Sequence, residues 1–345
     1  MPVRQGVRSP YLTSSVPKAL ATAPASPPRD DDRTALIDNS RNIYLRVRLR
    51  CGVILMCRPE VFWLCPQVLQ VLYSDVGDIL ALLPRNLRPL LQRTKIFVNH
   101  EYAYGLKSKP QRVQHTTAHH HHEWLLWARD RPDKVMSIEI YNAGDFCRMR
   151  QHWNGCGLLL HEYCHVIHQH VLGLQNQRII DLYEDACRSG RYDRTLRRDW
   201  AGKEDDHDMH YCMVDHKEFF AEISVTYLAQ GYKHLDRADT SQLETCSPPI
   251  MEPIVRQRLR NYKGRLLDPI PPREGHCNKF QPFTSGQLRE HDPELYQRIV
   301  AIWDSISKWQ DNHNKDPACC WKILAPWRAA PKTNAVMATG DTVSL

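Results

Sequence analysis

The most informative stretch of this sequence is Gly157-Leu-Leu-Leu-His161-Glu162-Tyr-Cys-His165-Val-Ile167, because it predicts both a buried helix and a metal-binding site on that helix. Its apolar residues, with Gly173 a few positions on, predict a short buried helix that ends at the glycine. On a helix, residues four apart lie on one face with Cβ atoms about 5–6 Å apart, so His161 and His165 can bind one Zn²⁺ at about 2.0–2.1 Å. Glu162 would lie beside the open side of the ion as a general base. The alternative is a core helix whose histidines only form hydrogen bonds.

A second stretch, Asp215-His-Lys-Glu218-Phe-Phe-Ala-Glu222-Ile-Ser-Val225, predicts a helix with two carboxylates on one face. Catalytic zinc sites often combine two histidines with one carboxylate and a water, which makes Glu218 the candidate third ligand. Glu222 follows one turn later and would orient one of the histidines. Spacing alone leaves two alternatives open: Asp215 and Glu218 form a capping box, and Glu222 is a solvated surface charge.

Together these two motifs resemble the gluzincin metallopeptidases represented by the catalytic domain of anthrax lethal factor. In that family the third ligand is the first Glu of a Glu-Phe-Phe-Ala-Glu segment, which here begins at Glu218. A tyrosine seven residues before that Glu points at the metal-bound oxygen, and Tyr211 holds the position here. The motifs cover residues 155–230. The resemblance implies an α+β, zincin-like domain, with a small mixed sheet packed with helices and an active-site helix carrying the HExxH pattern.

The resemblance also implies a role for each site residue. His161, His165 and Glu218 would bind Zn²⁺, and Glu162 would activate the zinc-bound water for hydrolysis of a peptide bond. Tyr211 would donate a hydrogen bond to the oxyanion; the alternative is an ordinary half-buried tyrosine. The nearby acidic and imidazole side chains from Asp205 to His210 are interpreted as a solvated loop. We therefore predict a zinc metallopeptidase, the alternative being a zinc-binding interaction module without peptidase activity.

Composition narrows the remaining classes of function. The chain has 345 residues and a net charge of +7 that is spread along it, without a nucleic-acid-binding motif. Nucleic-acid binding is therefore the weaker alternative, and a peptide or protein substrate is the predicted partner. No run of apolar residues is long enough for a membrane span. The twelve cysteines form no Cys-x-x-Cys pair, which favours reduced thiols and an intracellular, cytoplasmic location. The sequence favours no particular oligomeric state.

The predicted organisation has three parts. Residues 1–40 are rich in proline and are expected to be a disordered extension, with an organellar transit peptide as the alternative. Residues 41–310 form the metallopeptidase domain, interrupted by an irregular proline-rich stretch at 248–282. Residues 311–345 form a C-terminal tail.

Hydrophobic periodicity predicts further elements inside the domain. Strands are expected at 45–49, 95–98 and 135–141, and helices at 68–83 and from Pro293 onward. In the strand at 135–141, Ile138 and Ile140 alternate with Glu139. The resemblance to zincins implies that this strand borders the substrate cleft and that a peptide pairs with its edge. The histidines at 119–122 are expected at the surface, where they would be able to capture a metal ion.

Overall fold

The structure, a computed structural model, describes residues 36–153, 155–199, 203–229 and 277–311. Helices in these ranges are α1 (Val61–Leu64), α2 (Gln67–Leu82), α3 (Arg88–Arg93), α4 (Glu123–Trp127), α5 (Ala143–Met149), α6 (Gly157–Ile167), α7 (Gln177–Ser189), α8 (His216–Leu228), α9 (Ser285–His291) and α10 (Pro293–Ser307). The strands are β1 (Leu45–Arg48), β2 (Ile54–Cys57), β3 (Ile96–Val98), β4 (Tyr102–Leu106), β5 (Lys109–Val113), β6 (Thr116–Ala118), β7 (Ile138–Ile140), β8 (Thr195–Arg198) and β9 (Glu204–Asp208).

Five of these strands form a small mixed sheet in the order β1-β2-β3-β7-β6. The β2–β3 and β3–β7 pairs are parallel, whereas β1 and β6 run antiparallel to their neighbours. The remaining four strands form two separate hairpins, β4–β5 and β8–β9. The chain is therefore α+β with a small mixed sheet and helices, as predicted at that level.

Alternation and helical periodicity explain the elements that frame the sheet. In β1, Val47 is buried while Arg46 and Arg48 are exposed, which confirms the predicted half-buried strand. Helix α2 buries Leu72, Val76 and Ile79 against the sheet core. It ends at Leu82, two residues before Pro84, close to the predicted end.

The two motif helices pack against each other, and α8 also packs against α10. All eleven residues of α6 are buried, and its chain passes through a π-helical turn at His168–Leu172 before Gly173 ends it with a φ of +83°. In α10 the predicted apolar face is confirmed, and Asp292 caps its N-terminus by accepting from Leu295 N. The Trp303 ring of α10 stacks on Phe220 of α8, with 6.2 Å between ring centroids.

The expectation for the strand at 135–141 is wrong in two respects. The strand that forms within it, β7, lies between β3 and β6, so it has no edge to which a peptide can add. Glu139 is as buried as the flanking Ile138 and Ile140. The alternation is absent because a second layer, which includes Lys134 and Tyr44, covers the other face of the strand.

Two other sequence interpretations are also corrected. The acidic stretch predicted as a solvated loop includes strand β9, which pairs with β8 and leaves Asp206 and His207 exposed, and it ends at a fully buried His210. The histidine run begins inside the fold rather than at the surface, because His119 is buried and contacts Glu139. Only His121 of the run is exposed.

Some predictions concern residues outside the described ranges. They are the extension at 1–40 except for residues 36–40, the irregular stretch at 248–282 except for residues 277–282, and the tail beyond residue 311. Within the described ranges, none of the helices is both long and apolar enough to cross a membrane.

Candidate metal centre and substrate cleft

Helix α6 brings two imidazoles to one point. The Nε2 atoms of His161 and His165 lie 3.0 Å apart, and both side chains are buried. The helix begins at Gly157, where a Cβ atom would come within 2.1 Å of the Cys277 carbonyl oxygen, so only glycine allows this approach. That contact fixes the start of α6 against the segment at 277–283.

Helix α8 supplies a carboxylate to the same point. Asp215 caps α8 by accepting from the N–H groups of Lys217 and Glu218. Glu218 Oε2 lies 3.0 Å from His161 Nε2 and 3.4 Å from His165 Nε2. The Asp215 cap is therefore present, but the Glu218 side chain is directed at the histidines and not back at the cap.

The three side chains fit a tetrahedral divalent cation. Four ligands about 2.0–2.1 Å from zinc are separated by about 3.3–3.4 Å from one another, and the three observed separations are 3.0, 3.0 and 3.4 Å. Glu218 Oε2 is buried and has no hydrogen-bond donor. Among the His, Cys, Asp and Glu side chains of the described ranges, the ligand atoms of this trio lie close enough together to hold one metal ion.

Electrostatics at this point favour a positive charge. Burial alone would lower the pKa of His161, but Glu218 and Glu222 raise it well above its usual value. Burial alone would raise the pKa of Glu218, but His165 and His161 hold it well below its usual value. A cation bound between these side chains would satisfy both preferences, as a metal ion does.

Glu222 lies behind His161, one turn beyond Glu218. It is fully buried, so it is not the solvated surface charge of the alternative interpretation. Its Oε1 lies 2.9 Å from His161 Nδ1, although the angle departs from that of a hydrogen bond. A small rotation of either side chain would align the two groups. A carboxylate in this position orients a metal-binding imidazole and fixes its tautomer.

Glu162 lies in the cleft beside the trio. Burial raises the pKa of its carboxyl to about 7, while His161, His165 and the Ala118 backbone N–H oppose that rise and Glu218 adds to it. A carboxyl group with a pKa near 7 can both accept and return a proton at neutral pH, which a general acid–base catalyst requires.

Tyr211 stands at the entrance to α8. It begins the 3₁₀ turn Tyr211–Met213, is half-buried, and lines the same cavity as His161 and Glu162. Its ring centroid lies 6.2 Å from that of His161.

Two cavities meet at the candidate centre, and His165 and Glu218 line both. The first, of about 210 Å³, also contains His161, Glu162 and Tyr211. The second, of about 300 Å³, has aromatic walls that include Trp124 and Tyr141. The centre therefore lies along a cleft that continues on two sides.

Strand β6 forms one border of this cleft. Tyr141 N donates to His115 O, and His119 N donates to Ser137 O, so the odd-numbered residues of this stretch bond to the β7 side. In an antiparallel pair the intervening residues, Thr116 and Ala118, direct their peptide groups to the other edge. The edge strand beside the cleft is therefore β6 and not β7, as the sequence had suggested. Sequence reasoning missed it because a three-residue Thr-Thr-Ala strand has no distinctive pattern.

The histidine run packs behind this border. His119 Nε2 lies 2.7 Å from Glu139 Oε2, and His120 Nδ1 bonds to Gln169 Oε1 at 2.9 Å. The His120 ring also packs edge-on against His165. These two histidines therefore support the fold around the centre.

Comparisons with models of known protein families, with curated proteins and with solved structures found no match for this chain. The resemblance to the gluzincin metallopeptidases therefore stays a prediction that rests on the motifs.

Proposed function

We propose that this protein is a zinc-dependent metallopeptidase with a zincin-like fold. The observation that carries the proposal is the convergence of His161 Nε2, His165 Nε2 and Glu218 Oε2 beside Glu162 in an open cleft. A purely structural zinc site has four protein ligands and no use for an adjacent base. Three protein ligands and a cleft-facing carboxyl group support a catalytic site.

Each residue then has a chemical task. A zinc ion bound by the three side chains would supply Lewis-acid chemistry, polarising the scissile carbonyl and acidifying a water. Glu162 accepts the proton of the attacking water and returns it to the leaving nitrogen. Glu222 keeps the His161 ring in its binding orientation. Tyr211 donates a hydrogen bond to the oxygen on which negative charge develops.

The substrate is an extended segment of a peptide or protein. The outward peptide group of Thr116 and the Ala118 carbonyl offer hydrogen bonds to an added strand, while the Ala118 N–H is directed at Glu162. Side-chain cavities lie on both sides of the centre. This arrangement supports cleavage within a chain that passes through the cleft.

The test combines metal content with turnover. Elemental analysis of the wild type should give about one zinc per chain, and His161→Ala and His165→Ala should lose it. Glu162→Gln should keep the zinc and lower hydrolysis of a mixed peptide library by about 10²–10⁴-fold, because an amide cannot accept the proton. The control Glu184→Gln changes an exposed carboxylate of α7 and should match the wild type.

Two results would reject the proposal. A zinc-loaded wild type that cleaves no peptide would favour the alternative of a binding module without peptidase activity. Equal hydrolysis by the wild type and Glu162→Gln would remove the base from the mechanism.

Tyr211→Phe tests the oxyanion donor. It should lower kcat by about 10²–10³-fold with KM nearly unchanged, since the hydrogen bond strengthens in the transition state. Tyr163→Phe is the matched control, because the Tyr163 hydroxyl is buried in the core without a hydrogen-bond partner. Equal activity in Tyr211→Phe and Tyr163→Phe would exclude Tyr211 from the mechanism.

A further inference from the structure

One wall of the first cavity carries two basic side chains that the reaction above does not use. Arg197 belongs to β8, and Lys279 belongs to the segment 277–283 that runs beside it. Arg198 N donates to Lys279 O at 3.0 Å, and Gln281 N donates to Leu196 O at 2.8 Å. Paired backbone therefore holds both basic residues at the wall of the cavity.

The two basic side chains differ in whether an acidic side chain balances their charge. Arg197 forms ion pairs across the hairpin with Asp206 and with Asp208, the latter at 3.3 Å. Asp208 also lines the cavity, but its Oδ2 is engaged by Arg197 and its Oδ1 accepts from Met209 N. Lys279 has no ion-pair partner among the described residues, and its Nζ lies 5.1 Å from the centroid of the Phe280 ring.

Keeping Lys279 in this position costs free energy in the unbound protein. Burial lowers the pKa of the Lys279 ammonium and the nearby Arg197 lowers it further, although Glu222 and Asp208 act in the other direction. A half-buried charge is costly unless it is paired. An anionic ligand in the cavity would supply the missing partner.

The rest of the cavity is suited to a short apolar stem that ends in the anion. Met149, Trp153 and Leu158 line it together with the two basic residues. We call these five residues the anion subsite. Its walls lead directly to His161 and Glu162, so a bound group would belong to the same ligand as the reacting bond.

We propose that the anion subsite binds a carboxylate of the peptide substrate through the Lys279 ammonium. This proposal rests on the proposed peptidase function and assigns it a substrate class. The carboxylate comes from an Asp or Glu side chain near the scissile bond or from the free C-terminus of the peptide. A hydrogen bond to a charged partner predicts a preference of about 10–100-fold over a neutral amide.

The test uses blocked hexapeptides in matched pairs. One set carries a single Glu, or Gln as its neutral counterpart, at each position in turn, and a second set has a free or an amidated C-terminus. Values of kcat/KM are measured with zinc-loaded wild type. Dissociation constants are measured by isothermal titration with zinc-loaded Glu162→Gln, which keeps the cleft without turning the peptides over.

Wild type should favour Glu over Gln at one position, or the free terminus over the amide, by about 10–100-fold. Lys279→Met should abolish that preference, and Lys279→Glu should reverse it in favour of a peptide carrying Lys at the same position. Lys308→Met, which removes an exposed lysine at the end of α10, should keep the wild-type preference.

Two results would overturn the proposal: equal values for the charged and neutral peptides with wild type, or a preference that persists in Lys279→Met. The wild-type comparison requires no substitution, so misfolding of a variant cannot obscure it. A preference that depends on Lys279 in the binding measurements, with no hydrolysis by wild type, would reject the peptidase and support the subsite.

Discussion

Two buried clusters in this protein pair histidine with glutamate, but they differ in how the charge of the carboxylates is balanced. In the lysine cluster, the Lys134 ammonium contacts the carboxylates of Asp130 and Glu139, and His119 contacts Glu139 from the other side. In the candidate centre, His161 and His165 meet Glu218 and Glu222 with Glu162 beside them. Among the described residues, no Lys or Arg forms an ion pair with any of these three glutamates.

The difference appears in which polar atoms are satisfied. In the lysine cluster, Asn99 donates to Glu139 and Tyr102 donates to Asp130, and no fully buried side-chain nitrogen or oxygen of these residues lacks a partner. In the candidate centre, Glu218 Oε2, His165 Nδ1 and both oxygens of Glu222 are buried without hydrogen bonds. A buried carboxylate keeps its charge at low cost only where a cation or hydrogen-bond donors compensate it. The fold supplies a cation to the lysine cluster, and we propose that a metal ion from solution supplies it at the candidate centre.

The largest expected effect is the response of the whole protein to zinc. Zinc at a thousandfold excess over its dissociation constant should stabilise the protein by about 4 kcal/mol, which a chelator should remove. The melting temperature should fall by roughly 8–16 °C, since 1 kcal/mol corresponds to about 2–4 °C at this size. Calorimetry of wild type and His161→Ala measures this difference. A melting temperature that responds equally in both proteins would show that the zinc binds elsewhere.

Removing the internal cation should be almost as costly, and independent of zinc. Lys134→Met removes the cation that the buried carboxylates of Asp130 and Glu139 share, which costs about 3–5 kcal/mol. Urea unfolding with and without chelator measures the loss. Lys107→Met, at an exposed position, should change stability by no more than about 0.5 kcal/mol. A loss below about 1 kcal/mol, or one that appears only with zinc bound, would remove the distinction between the clusters.

The comparison also explains which parts of the fold the sequence predicted. Helices α6, α8 and α10 were predicted because their caps and apolar positions are spaced locally, within one to four residues. The triad could be proposed because its members lie on two such helices. Whether Glu222 is buried or solvated was not predictable, since that depends on packing between α6 and α8.

The errors arise where the partner is remote in the chain. Glu139 is polar in a strand pattern, and its burial depends on Lys134, His119 and Asn99, the last forty residues away. The edge position of β6 depends on the order of strands in the sheet. Lys279 reaches the cleft through pairing with β8, about eighty residues earlier. No local spacing encodes these contacts.

Lowering the pH should reduce the stability that the lysine cluster contributes, but by less than Lys134→Met does. Burial alone would raise the pKa of Glu139, but Lys134 and His119 lower it to about 2, below the ordinary value of 4.5. Glu139 therefore stabilises the fold above about pH 4.5, and this contribution is lost as the pH falls towards 2. The shift corresponds to about 3 kcal/mol, and the raised pKa of Asp130 acts with the opposite sign, so the net loss is smaller.

Urea unfolding between pH 6 and pH 3 measures the part of this loss that occurs above pH 3. The measurement is best made in the His161→Ala background, where release of zinc does not contribute. Glu139→Gln in that background should give a flatter profile, because the amide does not titrate. Identical pH profiles with and without Glu139→Gln would show that this carboxylate does not couple folding to pH.

The smallest expected effect concerns Glu222, which we propose orients a metal ligand without binding the ion itself. Glu222 approaches the far nitrogen of His161, so replacing it loosens one ligand and leaves all three in the chain. Such a change typically costs 10–100-fold in metal affinity, or about 1.4–2.7 kcal/mol.

The loss of zinc affinity in Glu222→Ala should lie at the upper end of this range. The loss in Glu222→Gln, which retains an acceptor oxygen, should lie at the lower end. Competition with a chelator of known affinity measures both, with the exposed Glu290→Gln as the control. If Glu222→Ala binds zinc as tightly as Glu290→Gln, the orphaned oxygens behind His161 do not serve the metal centre, and only Glu218 distinguishes it from the lysine cluster.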